Sequence, residues 1–146
     1  MKIRRAERRD LLQLTLIFNQ YRIFYKQEQN LQACKTFIKR RLENNDSFIF
    51  VAAVDSQLVG FLQLYPSFSS VAMEKVYILN DLYILPGVRH QGVASKLMQR
   101  AEEFANNNQA CRLVLETHKN NLAAQKLYIK RGWKKDFETF FFNFKC

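Results

Sequence analysis

Residues 80–104 read NDLYILPGVRHQGVASKLMQRAEEF: an apolar, strand-like run halted by Pro86, a tight turn, and an amphipathic segment opening at Gly92. The helix rests on Val93, Leu97, Ala101 and Phe104, which recur at helical spacing. A strand-to-helix junction of this kind suits a phosphate-bearing ligand. The first N–H groups of a helix have no partner inside it, and the macrodipole leaves partial positive charge at that end. Gly92 and Ala94 keep side chains out of the ligand's way, and Arg89 adds a full positive charge, in the spacing Arg-x-x-Gly-x-Ala. Neither Gly-x-x-x-x-Gly-Lys-Ser/Thr nor Gly-x-Gly-x-x-Gly occurs, which argues against a nucleoside triphosphate loop and a dinucleotide fingerprint.

At average residue usage such a six-residue pattern arises by chance in about one chain in ten of this length. A second segment makes it specific. Residues 116–133, ETHKNNLAAQKLYIKRGW, hold Asn121, Ala124, Tyr128, Gly132 and Trp133 in the order Asn-x-x-Ala-x-x-x-Tyr, then Gly with an aromatic. With Arg89, Gly92 and Ala94 upstream, the chain resembles the GCN5-related N-acetyltransferases, which move an acetyl group from acetyl-coenzyme A to an amine. The run YILNDLYILPGVRHQGVAS, residues 77–95, resembles the matching stretch of diamine and polyamine acetyltransferases. In those relatives an acidic pair stands where this chain has Asn80 and Asp81.

The resemblance implies a fold and a set of roles. The fold is α/β, a mixed, mostly antiparallel central sheet flanked by helices, here one N-acetyltransferase domain over residues 1–146. Leu82, Tyr83 and Ile84 are expected to line the pantetheine through their main chain. Arg89, with His90, Gln91, Gly92, Val93, Ala94 and Ser95, is expected to cradle the pyrophosphate. Asn121 is expected to bond the coenzyme, a role compatible with capping its helix, and Tyr128 matches the family's general acid. Acetyl-CoA is thus the expected cosubstrate, with no metal.

An alkyl amine must lose a proton before it attacks a thioester, which costs about 4 kcal/mol at neutral pH from roughly three pK units. Asp81, at the head of the cofactor strand, is the leading base, with Glu28, Glu74 and Glu116 behind it. The alternative for Asp81 is a cap or an ion pair. Tyr21, Phe24, Tyr25 and Glu28, with residues 65–70, are expected to form the acceptor pocket through cation–π and ion-pair contacts, or else to be core aromatics beside an exposed acid. Tyr25, Glu28 and Asn80 are the expected substrate contacts. The acceptor is then a small-molecule amine such as an amino acid, diamine or polyamine. A protein or peptide acceptor, and a non-catalytic acyl-CoA sensor, are the competing readings.

With 146 residues and 48% apolar content the chain can bury one core, and no linker divides it. No apolar run reaches the roughly 20 residues that span a bilayer, and MKIRRAERRD is no signal-peptide core, so a cytoplasmic protein without membrane contact is expected. Cys34, Cys111 and Cys146 lack metal spacing and read as reduced thiols, with Cys111 buried in a strand. The net charge of +10, from 23 basic and 13 acidic residues, is scattered through elements rather than gathered in a tail, so nucleic acid is the weakest partner. Thirteen phenylalanines, Phe140, Phe141 and Phe142 among them, suggest a large aromatic interior or a strand-mediated homodimer.

The expected elements are a strand over 2–5, helices over 10–25 and 30–42, a hairpin of 48–54 and 58–65, and a central strand over 73–85. A helix over 92–106, a strand over 111–116, a helix over 121–131 and closing strands within 133–144 complete the order.

Overall fold

The computed structural model describes residues 1–146. Its backbone groups into two compact units, Met1–Glu116 and Thr117–Cys146. The first holds a five-stranded sheet in the order β1-β2-β3-β4-β5, formed by Lys2–Arg5, Phe48–Val54, Gln57–Ser69, Glu74–Ile84 and Arg112–Val114. β1 to β4 pair antiparallel and β5 is parallel to β4. The helices of this unit are α1 (Leu11–Phe24), α2 (Leu31–Asn44) and α3 (Val93–Asn107). α4 (Leu122–Lys130) belongs to the second unit.

Side-chain alternation decides which face each strand residue serves. On one face Ile49, Val51, Phe61 and Tyr83 pack with Leu14, Ile17 and Phe18 of α1 and with Cys34 and Ile38 of α2. On the other, Phe48, Phe50 and Tyr77 gather around Phe104 of α3, whose Val93, Leu97, Met98, Ala101 and Ala105 are buried. Asp55 and Ser56 turn the β2–β3 hairpin with φ of 46° and 66°, the positive values that a two-residue turn with the twist of the strands requires. Asn30 caps α2 by accepting from the Ala33 amide at 2.9 Å.

Two expectations about elements fail. β3 runs on through Pro66 to Ser69 instead of ending at residue 65. Beyond Leu64 it has lost β2 and pairs only with β4, so it is an edge there and tolerates a proline. The closing strands within 133–144 do not form: the chain after α4 contains turns and bends but no ladder. Cys111, expected to be buried, is exposed just before the three-residue β5.

Candidate active site

The candidate residues of β4 are placed by a shift in its register. Gln63 pairs with Asp81 while Leu64 pairs with Leu79, leaving Asn80 as the extra residue of a bulge. The bulge reverses the parity of the strand. Tyr77 faces α3, whereas Tyr83, an even number of residues further on, lies in the core under α1 and α2. Asp81 is thereby turned onto the α1 and α2 face, where it is 3% exposed.

The groups around Asp81 are neutral and polar. Gln63, fully buried, donates from Nε2 to Asp81 Oδ2 at 2.5 Å and to the Tyr65 hydroxyl at 3.1 Å. Its Oε1 accepts from Ser47 Oγ at 2.8 Å, which fixes which end of the amide faces the carboxylate. Asn80 Nδ2 donates to Asp81 Oδ1 at 3.1 Å. No lysine or arginine lies within ion-pair distance of this carboxylate. Burial, then the charge of Asp81 and hydrogen bonding to it, pushes the Tyr21 phenol well above its usual range. Tyr65 is pushed up to about 12 by burial and then Asp81, and Tyr25 is raised by the same two causes.

Rings cover the neighbouring stretch. Tyr21 meets Tyr25 edge to face at 5.0 Å between centroids and also touches Phe61 and Tyr83. Phe24 reaches Tyr83 at 6.2 Å. Of the expected acceptor contacts, Tyr25 and Asn80 therefore join the Asp81 cluster. Glu28, Glu74 and Glu116 are exposed. The buried partners Gln63 and Ser47 give no signal in the sequence, because a strand glutamine and a serine before a strand carry no motif; only the β3–β4 pairing reveals them.

Beyond Asp81 one edge of β4 is open. β5 pairs with it only from Val76 to Ile78. The Leu85 amide donates to Val59 O at 2.9 Å, so by the alternation of an antiparallel ladder Tyr83 also spends its main-chain groups on β3. Leu82 and Ile84 turn theirs to the side that β5 has left. Arg89 Nε occupies the Ile84 carbonyl at 2.9 Å, with its guanidinium over the rings of Tyr83 and Phe24.

The turn that follows is built from positive φ angles. His90 lies at 62° and Gly92, the N-cap of α3, at 77°. The first helical bond runs from the Lys96 amide to Gly92 O, which places the amides of Val93 and Ala94 outside the helical ladder. A Cβ at Gly92 would meet nothing within 4 Å, so glycine is favoured there by its backbone angle. Together the open β4 edge and this exposed turn can bond an extended chain that ends in phosphates.

In the second unit, Asn121 caps α4 by accepting from the Ala124 amide at 3.3 Å. Gly132, at φ 86°, ends the helix and returns Trp133 to it: the Trp133 amide donates to Tyr128 O at 3.0 Å, and the two rings lie 6.2 Å apart. The spacing Tyr-x-x-x-Gly-Trp is thus one local structure. A surface hollow of about 620 Å³ along α2, lined by Asn30, Thr36, Phe37, Arg40 and Arg41 among others, shares no residue with the Asp81 cluster.

The sequence model of the acetyltransferase (GNAT) family matches residues 11–133, and the chain belongs to that family. It is 43% identical over 136 residues to the uncharacterized N-acetyltransferase YhfO of Bacillus subtilis (strain 168), covering 93% of this chain and 91% of the relative. A probable acetyltransferase of Haemophilus influenzae is 29% identical over 82% of this chain and 83% of its own length. A crystal structure of a probable acetyltransferase, 36% identical, superposes with a TM-score of 0.95 over 100% of this chain and 98% of the other. The protein is accordingly an acetyl-CoA-dependent acyltransferase.

Proposed function

We propose that the acetyl acceptor is a primary amine of a small molecule, an amino acid, diamine or polyamine, which attacks acetyl-CoA directly in a ternary complex. The observation that carries this reading is Asp81: a carboxylate 3% exposed, held by two neutral amides and without a cation of its own. A charge so placed is costly unless a partner joins it, and an ammonium fits. The Tyr21, Tyr25 and Tyr65 rings add electron-rich faces for the same cation. A chain with net charge +10 repels a polycation at long range, so a local buried acid is what such a substrate needs.

In this proposal Arg89 and the loop from His90 to Ser95 hold the pyrophosphate. The main chain of Leu82 holds the pantetheine, and Ile84 meets its acetyl end. Asp81 accepts the proton of the ammonium, directly or through a water. Tyr83 points its main chain at β3, so the Ile84 amide is the donor that polarises the thioester carbonyl. Tyr128 gives a proton to the departing thiolate. Tyr128→Phe should retain coenzyme binding and lose at least about tenfold in kcat; an unchanged kcat removes Tyr128 from the reaction. The reading as a whole is tested by thiol release from acetyl-CoA over a panel of amino acids, diamines, polyamines, aminoglycosides and peptides. Turnover with peptides alone transfers the assignment to a protein acceptor, and tight coenzyme binding with no turnover at all points to a sensor.

A further inference from the structure

Gln63 stands opposite Asp81 in the β3–β4 ladder, at the last paired position before the Asn80 bulge. It is 0% exposed, a place that a glutamine seldom takes unless its amide is satisfied. Here the amide is nearly saturated. Its two Nε2 hydrogens go to Asp81 Oδ2 at 2.5 Å and to the Tyr65 hydroxyl at 3.1 Å, and Oε1 accepts from Ser47 Oγ at 2.8 Å. Turned over, the amide would set its carbonyl against the carboxylate and lose the serine, so the side chain has one orientation.

The chain holds two buried acids and treats them differently. Asp10, 4% exposed, is gripped by both terminal nitrogens of Arg4 at 2.6 and 2.7 Å, an ion pair that cancels its charge. Asp81, equally buried, has a glutamine where Asp10 has an arginine. A neutral donor fixes the carboxylate and leaves its negative charge for something else. A carboxylate accepts about four hydrogen bonds. Gln63, Asn80 and the Tyr21 hydroxyl supply three of them, which leaves room for one N–H from a ligand.

We propose that Gln63 is a positioning residue of the transfer reaction: its neutral amide, clamped by Ser47, aims Asp81 at the acceptor nitrogen and leaves the charge of that carboxylate uncancelled. The inference rests on the reading of Asp81 as the group that takes the ammonium proton. In that step an N–H bond breaks and an O–H bond forms on Asp81, while Gln63 neither gains nor loses a proton. The other titratable groups turned toward Asp81 are the phenols of Tyr21 and Tyr25 on the α1 side and of Tyr65 on β3. Arg41 of α2 acts on Tyr65, but it is paired with Asp46 at 2.7 Å.

Gln63→Glu keeps the shape and sets a second carboxyl against Asp81. The two then share a proton, and the base is freed only at higher pH. With the best acceptor of the amine panel, the acidic limb of kcat/KM should move up by about one pH unit or more, while CoA binding changes less than about twofold. Ser47→Ala leaves the glutamine but unclamps it, and should lower kcat/KM for the amine about fivefold at an unchanged KM for acetyl-CoA. Added to Asp81→Asn, the Gln63→Glu change should cost nothing more, because the glutamine acts through Asp81. A folded Gln63→Glu chain with the pH profile of the parent overturns the proposal. If Asp81→Asn is inactive beside that unshifted profile, Asp81 stays the base and Gln63 alone loses its role. Full activity of Asp81→Asn, or a panel without turnover, removes the base and the positioning residue together. Should Gln63→Glu fail to bind CoA, Ser47→Ala decides, and unchanged amine kinetics there overturn the proposal.

Discussion

At the scale of single residues the proposed acceptor site depends on Asp81 and on the amide that holds it. Asp81→Asn keeps the shape and removes the charge. The proposed role predicts a fall of about 100-fold or more in kcat/KM for the amine, with the dissociation constant of CoA changed less than twofold. Equal turnover by the variant would return Asp81 to a structural part. Gln63→Leu leaves Asp81 Oδ2, Ser47 and Tyr65 without a shared partner in a buried place and should lower stability by about 1–3 kcal/mol, read from urea midpoints. The raised phenols make a separate prediction about alkali. The unfolded chain releases the Tyr65 proton near 10, while the folded chain keeps it to about 12. Between those values the unfolded state binds fewer protons, so stability falls as pH rises. Urea midpoints at pH 8 and 11 should show the decline, and Tyr65→Phe should reduce it.

At the scale of elements, the junction of β4 with α3 was legible because its parts are local. Pro86 stops a strand, Gly92 takes φ 77°, and the apolar spacing from Val93 onward makes a helix, whatever the rest of the chain does. The same is true of the α4 signature, where Asn121 caps and Gly132 terminates one helix. The Asn80 bulge was not legible, since it is a property of two paired strands. Gly60 shows how tightly they are paired: a Cβ there would lie 2.6 Å from Ile84 Cδ1 and 2.8 Å from Tyr83 O. Gly60→Ala must push β4 away at the point where Leu82 and Ile84 face the open edge. It should destabilise the fold by about 1–3 kcal/mol and weaken CoA binding along with it, as calorimetry would show; a neutral substitution would mean that the two strands are free to separate.

At the scale of the whole molecule, the family is conveyed by the amino-acid order alone, through two short signatures that resemble those of its relatives. Turn residues, caps and helical spacing act within a few positions, and two such signatures in sequence were enough. Long-range pairing decided the rest. Asp81 stands out in the sequence only by its place in the chain, but its burial, its Gln63–Ser47 support and its aromatic surroundings arise because β3, α1 and the residues flanking α1 and β2 bring residues 47, 63, 65, 21 and 25 to it. The glutamates proposed as alternatives are separated from Asp81 by exposure, which no spacing rule reveals. The aromatic C-terminus reads as strands by propensity and yet finds no ladder in the chain, because a strand needs a neighbour and composition cannot say where that neighbour is.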